Sequence, residues 1–485
     1  MLLFGLSAPI IENLRHHLRD STHIVQWSFG ECSQELGENL APLNQLHLRA
    51  WRERYKVDFD ELSASQSPSP YRQLVELTCD RVFIDPISSN DRILYLARLE
   101  TLITAEVRKI TPGIAVFEAT PHFPWDLLCT KVLLERGHRV FSFRPTQVDG
   151  RILVQEHLSS GRLTRLLSRD EFSNLASKQE MVVEYRCLTQ GGSPNSTRMQ
   201  VAHDIVSSDS LRFFLIRVVK FLLRKVTPSF FERQSPKAQV ASGNYFEVYS
   251  PRRRRLLEVT RIVSAKRDRG LLRSLSSKEL PRDYVLFMLH FQPERTTDPE
   301  AGLARFQAAA MVELRKKMDL EGMGSMEIVV KEHPRQLLRF DSDVRRLLAR
   351  SAPFYDAIAG LHDCCFVDPE VDSESLIEGA TLVVTPNGTA AWQALLKGRP
   401  GITFAETWHS TCVASPTWDA IMSGDVSLRE LLAMDRDAVV ASVRKFAESE
   451  RVTHAGVMDE RYVKPEALEE LQEKTGLLLA ELARL

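Results

Sequence analysis

Four short apolar runs in the second half of the chain each end abruptly in polar residues, glycine or proline: YVLFMLHF (284–291), EIVVKEHP (327–334), CCFVDP (364–369) and TLVVTPNGT (381–389). Runs of this length, rich in β-branched residues and separated by stretches with helical spacing, are the pattern of a parallel sheet covered by helices on both faces. Helices are read from about 302 to 318, around 341–360, and through AAWQALLKG, where Gly398 and Pro400 stop the helix in the expected order. The first half carries the same alternation. LLFGLS and HIVQWSF flank the amphipathic APIIENLRHHLRD, and GIAVFEAT precedes a helix from near Trp125 to Gly137 and a strand from Val140 to Phe143. The fold class expected is therefore α/β, with two Rossmann-like domains facing one another, parallel sheets and additional helices.

A chain of 485 residues is too long for one ordinary core. The expected division is 1–275, with a helical insertion over about 159–275, then 276–430, then terminal helices over 431–485. The N-terminal twenty residues lack a basic leader, Pro9 interrupts the apolar run and Glu12 follows it, so a strand and helix are expected there rather than a secretory signal. No run of 18 apolar residues occurs. A net charge of −1 argues against a nucleic-acid-coating protein. Seven scattered cysteines without a CxxC pair fit reduced thiols in a cytoplasm, not a disulfide framework or a zinc site.

In open parallel sheets ligands bind beyond the carboxyl ends of the strands, so the polar tips are the candidate site. In KEHP, Lys331 offers a charge and His333 an imidazole to a phosphate, while Pro334 fixes the turn; a solvated surface loop would show the same residues. In TPNGT, Gly388 allows close backbone approach and Thr389 is expected to cap a helix whose N-terminus faces an anion, with Asn387 beside them. The loop from His290 contributes His290, Gln292 and Glu294 as donor-side candidates, the last two for a base or ribose. Ser375 with Glu378 fits a capping box, so Ser375 serves either structure or ligand. In the first half Glu118 and Asp126, with His122 between them, lie just past a strand, where a carboxylate would deprotonate an acceptor hydroxyl; Asp126 fits equally a helix N-terminus. Arg217, Lys220 and Arg224 share one side of a helix read over 211–226, and together with the arginines of 252–255 they could rest on an anionic membrane. A domain helix with its apolar face in the core would read the same way.

YVLFMLHFQPERTTDPEAG, VVKEHPRQ and LVVTPNGTAAWQALLKGRPGITF, in this order and spacing, resemble the bacterial capsule polysaccharide biosynthesis proteins, which include Kdo transferases. The resemblance spans about 284–405 and extends weakly into FEATPHFPWDLLCTKVLLERGHRVFSFRPTQ. It implies a GT-B fold, a metal-independent transferase and a donor activated by a cytidine nucleotide, with no resident cofactor. By position it puts Lys331, His333 and Pro334 at the donor phosphate and Asn387, Gly388 and Thr389 at the nucleotide turn. Relatives carry a glutamate where this chain has Gln393, a departure that bears on how the ribose is held. The expected activity is transfer of a sugar from a nucleotide-activated, CMP-linked donor to a saccharide or lipid-linked acceptor, on the cytoplasmic side of the membrane. Two other readings stay open: a CDP-alcohol phosphotransferase of teichoic-acid type, and a GT-B scaffold without catalysis.

Overall fold

The computed structural model of the chain describes residues 1–4, 6–18, 25–27, 40–41, 43–65, 69–79, 88–146, 150–159, 163–171, 267–268, 270–277, 279–292, 296–297, 300–333, 336, 350–368, 371–450, 452–457 and 465–484. Glu294, Pro334 and the basic segments 211–226 and 252–255 lie outside the described residues, as does most of the insertion expected over 159–275. The chain forms two α/β units: one contains the described residues up to 171 together with 452–484, the other those from 267 to 450.

In the first unit β1 (Leu2–Phe4), β2 (Val25–Trp27), β3 (Ile114–Phe117) and β4 (Arg139–Pro145) run parallel in the order β2-β1-β3-β4. Its helices α1 (Ala8–His17), α2 (Ser89–Val107) and α3 (Pro124–Glu135) cover both faces. Strand alternation decides which residue meets which layer. Leu2, Phe4, Ala115 and Phe117 pack with α2 and α3 through Leu99, Trp125 and Leu128. Leu3 and Val116 pack on the other side with Ile10 and Leu14 of α1 and with Leu478 and Leu479 from the C-terminal helix, Pro465–Leu482.

The sheet then continues in a way the parallel pattern did not announce. β5 (Arg151–His157) returns antiparallel to β4, and its far edge is shared by β6 (Thr164–Leu166) and by a late strand, Thr453–Ala455. The span expected to be helical from about 159 thus begins with a strand. The stretch 431–485 is not a separate set of helices either. Arg436–Ser449 packs in the second unit, with Phe446 5.6 Å from Trp408, whereas residues from 453 complete the first. Three-residue edge strands carry too little periodicity to be read from sequence.

The second unit has five parallel strands, β7 (Tyr284–Met288), β8 (Glu327–Lys331), β9 (Cys364–Phe366), β10 (Leu382–Thr385) and β11 (Gly401–Thr403), ordered β11-β10-β7-β8-β9. Its helices include α4 (Gln307–Leu320), α5 (Ala352–Ala359), α6 (Ser373–Gly379) and α7 (Thr389–Leu396). Val285, Phe287, Ile328 and Val330 face α4 and α5 through Met311, Leu314 and Tyr355. Leu286, Val329 and Val383 face α6 and α7 through Leu376, Ile377, Ala390 and Ala394. Burial on both faces explains why these strands read as unbroken apolar runs. Cys364 and Cys365 sit in β9.

Gly476 carries the C-terminal helix against α1: a β-carbon there would lie 2.8 Å from Asn13 Cβ and 3.0 Å from the Leu14 nitrogen. Gly476→Val is expected to lower stability by about 1–3 kcal/mol through overpacking. Urea unfolding followed by circular dichroism checks this; an unchanged midpoint would mean the two helices do not meet. A second expectation concerns pH. His47, bonded through Nδ1 to Tyr95 Oη at 2.6 Å, and His157, bonded to Ser142 Oγ at 2.9 Å, are both fully buried, and burial holds each near pKa 3 instead of 6.5. They are neutral in the folded chain, so their contribution to stability is full above pH 6.5 and is lost as pH falls toward about 3. His157→Gln should therefore flatten the fall of unfolding free energy between those limits relative to wild type, read by denaturant titrations at stepped pH.

Candidate functional site

From β7 the chain steps outward to β8 and β9, then jumps back to lay β10 on the other side of β7. The helices after β7 and β10 consequently leave toward opposite faces, α4 against Phe287 and α7 against Val383, and a crevice opens between the two strand tips. The residues beyond β7, β8 and β10 are therefore neighbours, as the sequence expectation of convergent tips requires.

Gly388 is the N-cap of α7, with φ −118° and ψ 169°, and no side chain caps the helix. Thr389, expected as the cap, is instead the exposed first helical residue. The helix thus begins one residue earlier than expected, and position 388 has no room for a side chain. A β-carbon on Gly388 would lie 2.1 Å from His290 Nε2 and 2.9 Å from Thr385 Oγ1. The first turn of α7 contains no acidic residue, so its N–H groups and dipole favour an anion. Gln393 lies one turn on from Thr389, on the same side of the helix and half-buried.

His290 is the imidazole at this turn. Its main chain is clamped by Gln307, which accepts from the His290 N–H at 2.7 Å and donates to its carbonyl at 3.2 Å. Its Nδ1 is sealed from solvent without a hydrogen bond, and Nε2 faces Gly388. Burial lowers its pKa from 6.5 to about 4, with the Arg350 charge adding to the fall and Glu300 opposing it. The ring is neutral at pH 7 and carries one N–H.

Several candidate ligands are committed elsewhere. The side-chain amide of Gln292, 7% exposed, accepts from Arg350 Nη1 at 2.6 Å and Gln307 Nε2 at 2.8 Å, and donates to the Arg305 carbonyl at 2.9 Å. It binds the tip of β7 together and does not present itself to a base or ribose. Asn387 likewise donates from Nδ2 to the Thr296 carbonyl at 3.1 Å and to Glu300 at 3.3 Å, bracing the turn instead of a ligand. Ser375 donates both N–H and Oγ–H to Asp372 Oδ2, each at 2.8 Å, so Asp372 and not Ser375 caps α6. That carboxyl sits below the ordinary range because of the Ser375 N–H first, with the charge of Lys331 contributing. Lys331, expected at the donor phosphate, is 1% exposed, with its charge acting on the Asp372 carboxylate.

Glu332, which a solvated surface loop would leave in water, is 1% exposed and holds the tip of β8. It pairs with Arg350 Nε at 2.8 Å, accepts from Tyr355 Oη at 2.9 Å and from the His333 N–H at 2.7 Å. His333 follows it, half-buried, with its ring 5.9 Å from that of Phe291.

In the first unit the order β2-β1-β3-β4 places the reversal between β1 and β3. Half-buried Glu118 lies just past β3, its N–H bonded to the Phe4 carbonyl at 2.9 Å. Asp126 is 2% exposed and its carboxylate accepts from the His122 and Phe123 N–H groups at 3.3 and 3.2 Å, satisfying donors at the start of α3. This reassigns Asp126 from acceptor-side base to helix cap. His122 is better placed for proton transfer: its Nδ1–H donates to the Thr120 carbonyl at 2.8 Å, which puts the basic lone pair of the neutral ring on Nε2. Among the described residues no group of three or more His, Cys, Asp or Glu is placed to hold a metal ion, and no helix is long and apolar enough to cross a membrane.

No protein-family model and no curated protein matches the chain. Among solved structures it is similar to the beta Kdo 2,7 transferase KpsC of Thermosulfurimonas dismutans, at 10% identity and a TM-score of 0.30, over 85% of this chain and 98% of that one. It is also similar to a UDP-GlcNAc 2-epimerase of Methanocaldococcus jannaschii in complex with UDP-GlcNAc and UDP, at 13% identity and a TM-score of 0.25, over 92% and 99%. A third is the N-terminal domain of trehalose-6-phosphate phosphatase from Candida albicans, at 11% identity and a TM-score of 0.28, over 99% and 98%. Likenesses this distant carry no functional argument, and the α/β assignment stands on strand order and register.

Proposed function

We propose that the chain is a glycosyltransferase of GT-B type, acting in surface-polysaccharide synthesis and taking a sugar from a nucleotide-activated, CMP-linked donor. The observation that carries this reading is the Gly388 turn, where an uncapped helix N-terminus meets the His290 ring at the reversal point of a parallel sheet. The capsule-protein resemblance over 284–405 supports the donor class.

In the proposed step the bond from the anomeric carbon to the phosphate oxygen breaks and one to the acceptor oxygen forms. Negative charge then collects on the departing nucleotide phosphate. The N–H groups of the first turn of α7 and the N–H of neutral His290 stabilise it, as fixed donors in a partly desolvated site. The acceptor oxygen passes its proton to a general base as the new bond forms. No metal is invoked, and the nucleotide sugar is substrate, not a resident cofactor.

Calorimetric titration with CMP, CDP, UDP and GDP, followed by a donor screen read by mass spectrometry with a lipid-linked oligosaccharide acceptor, tests the reading. Preference for a cytidine nucleotide and a product heavier by one sugar are expected. New phosphate in the product would indicate alcohol-phosphate transfer, and no nucleotide preference would indicate a scaffold. Gly388→Ala should weaken nucleotide binding by about tenfold or more, because the added methyl displaces the imidazole. His290→Gln should lower kcat by about 100-fold, the usual loss for one donor to a developing anion. If His333→Gln causes that loss and His290→Gln does not, the leaving group is held at the tip of β8.

A further inference from the structure

One side chain remote in sequence from every strand tip touches two of them. Arg350 is 3% exposed and lies ahead of α5. Its Nε donates to Glu332 Oε2 at 2.8 Å, its Nη1 to Gln292 Oε1 at 2.6 Å and its Nη2 to the His290 carbonyl at 2.8 Å. The guanidinium carbon also lies 4.4 Å from the ring centroid of Phe354, which fixes the plane of the fork. A planar, permanently charged fork can hold three acceptors in one arrangement, which a lysine cannot.

We propose that Arg350 is the positioning residue of the anion site: it locks the tip of β7 to the tip of β8 and so aims His290 at the N-terminus of α7. This deepens the nucleotide reading and rests on it for the identity of the anion. Burying a guanidinium and a carboxylate together gives little net stability over an apolar pair, so such a pair is better understood as a device for fixing geometry. The bond to the His290 carbonyl acts on the very residue whose ring meets Gly388. The charge acts there as well. Around His290 stand Arg350, which disfavours its protonation, Glu300, which favours it, and the uncharged Gln307 and Thr385, while Glu332 neutralises the far side of the guanidinium.

The test uses the full chain with three variants, Arg350→Lys, Arg350→Met and the double variant Arg350→Met/Glu332→Leu. The double variant removes both charges together, since Arg350→Met alone strands a buried carboxylate and can unfold the unit. Three readouts are taken: thermal melting, CMP affinity by calorimetry, and the titration of the His290 ring by carbon-13 histidine NMR without nucleotide, its resonance identified by its loss in His290→Gln. In the double variant melting should stay near wild type, CMP affinity should fall about tenfold or more, and the His290 midpoint should rise by about one pH unit once the neighbouring charge is gone. Arg350→Lys keeps the charge but not the fork, so its affinity should fall while its midpoint stays. Unchanged affinity and an unchanged His290 midpoint in either folded variant, with only melting altered, overturn the proposal. If wild type binds none of the nucleotides, the nucleotide reading fails by itself, and the NMR midpoint still decides whether Arg350 sets His290.

Discussion

Between their ends, β7, β8 and β10 are sealed by two apolar layers, with Val285, Phe287 and Val330 under one set of helices and Leu286, Val329 and Val383 under the other. Polar side chains have no place along such strands, because an unsatisfied polar group buried there costs several times what a typical hydrogen bond contributes. Chemistry in the second unit is therefore confined to the strand tips. The order β11-β10-β7-β8-β9 makes the tips of β10, β7 and β8 adjacent. Everything proposed for the site depends on that confinement.

At the tips the polar residues divide by what they touch. Gln292, Glu332 and Asn387 are almost wholly buried and bonded to neighbouring loops, so they shape the crevice and leave little to offer a ligand. His290 differs: its main chain is clamped, while its ring has a sealed Nδ1 without a bond and an Nε2 against Gly388. A held backbone with an uncommitted ring is the arrangement that preorganised anion recognition needs. The glycine at 388 completes it through a close approach and not through a special backbone angle, since its φ of −118° is open to any residue.

Much of this was legible in the sequence, and what was not has a physical cause. The strands of the second unit, the convergence of their polar tips and the need for glycine at 388 follow from run length, turn residues and the rule for parallel sheets. The roles of Lys331 and Glu332 did not, because a tip residue's environment is set by a partner far along the chain: Glu332 meets Arg350 and Tyr355, and nothing in KEHP announces them. The only hint is parity, which puts Glu332 on the Val330 face, toward α5. Capping was misread for a related reason. Asp372 and Ser375 both suit a helix start, and only the observed first turn shows that the earlier residue accepts the N–H. The antiparallel return of 453–455 onto β5 was illegible because it is a contact of three residues at a separation of some three hundred.

The first unit obeys the same division with a different outcome. Asp126, one of the two carboxylates the sequence offered as a base, instead accepts the N–H groups of His122 and Phe123 at the start of α3. Holding the His122 main chain in this way leaves the ring to turn its Nδ1–H onto the Thr120 carbonyl. A carbonyl accepts and cannot donate, so the tautomer follows and the basic nitrogen must be Nε2. The cap and the imidazole are thus one device, since the carboxylate that stops being a base fixes the loop on which another base is built. In each unit, then, one buried polar side chain fixes the main chain of a tip loop, Asp126 at His122 and Gln307 at His290, and an imidazole is left at that tip.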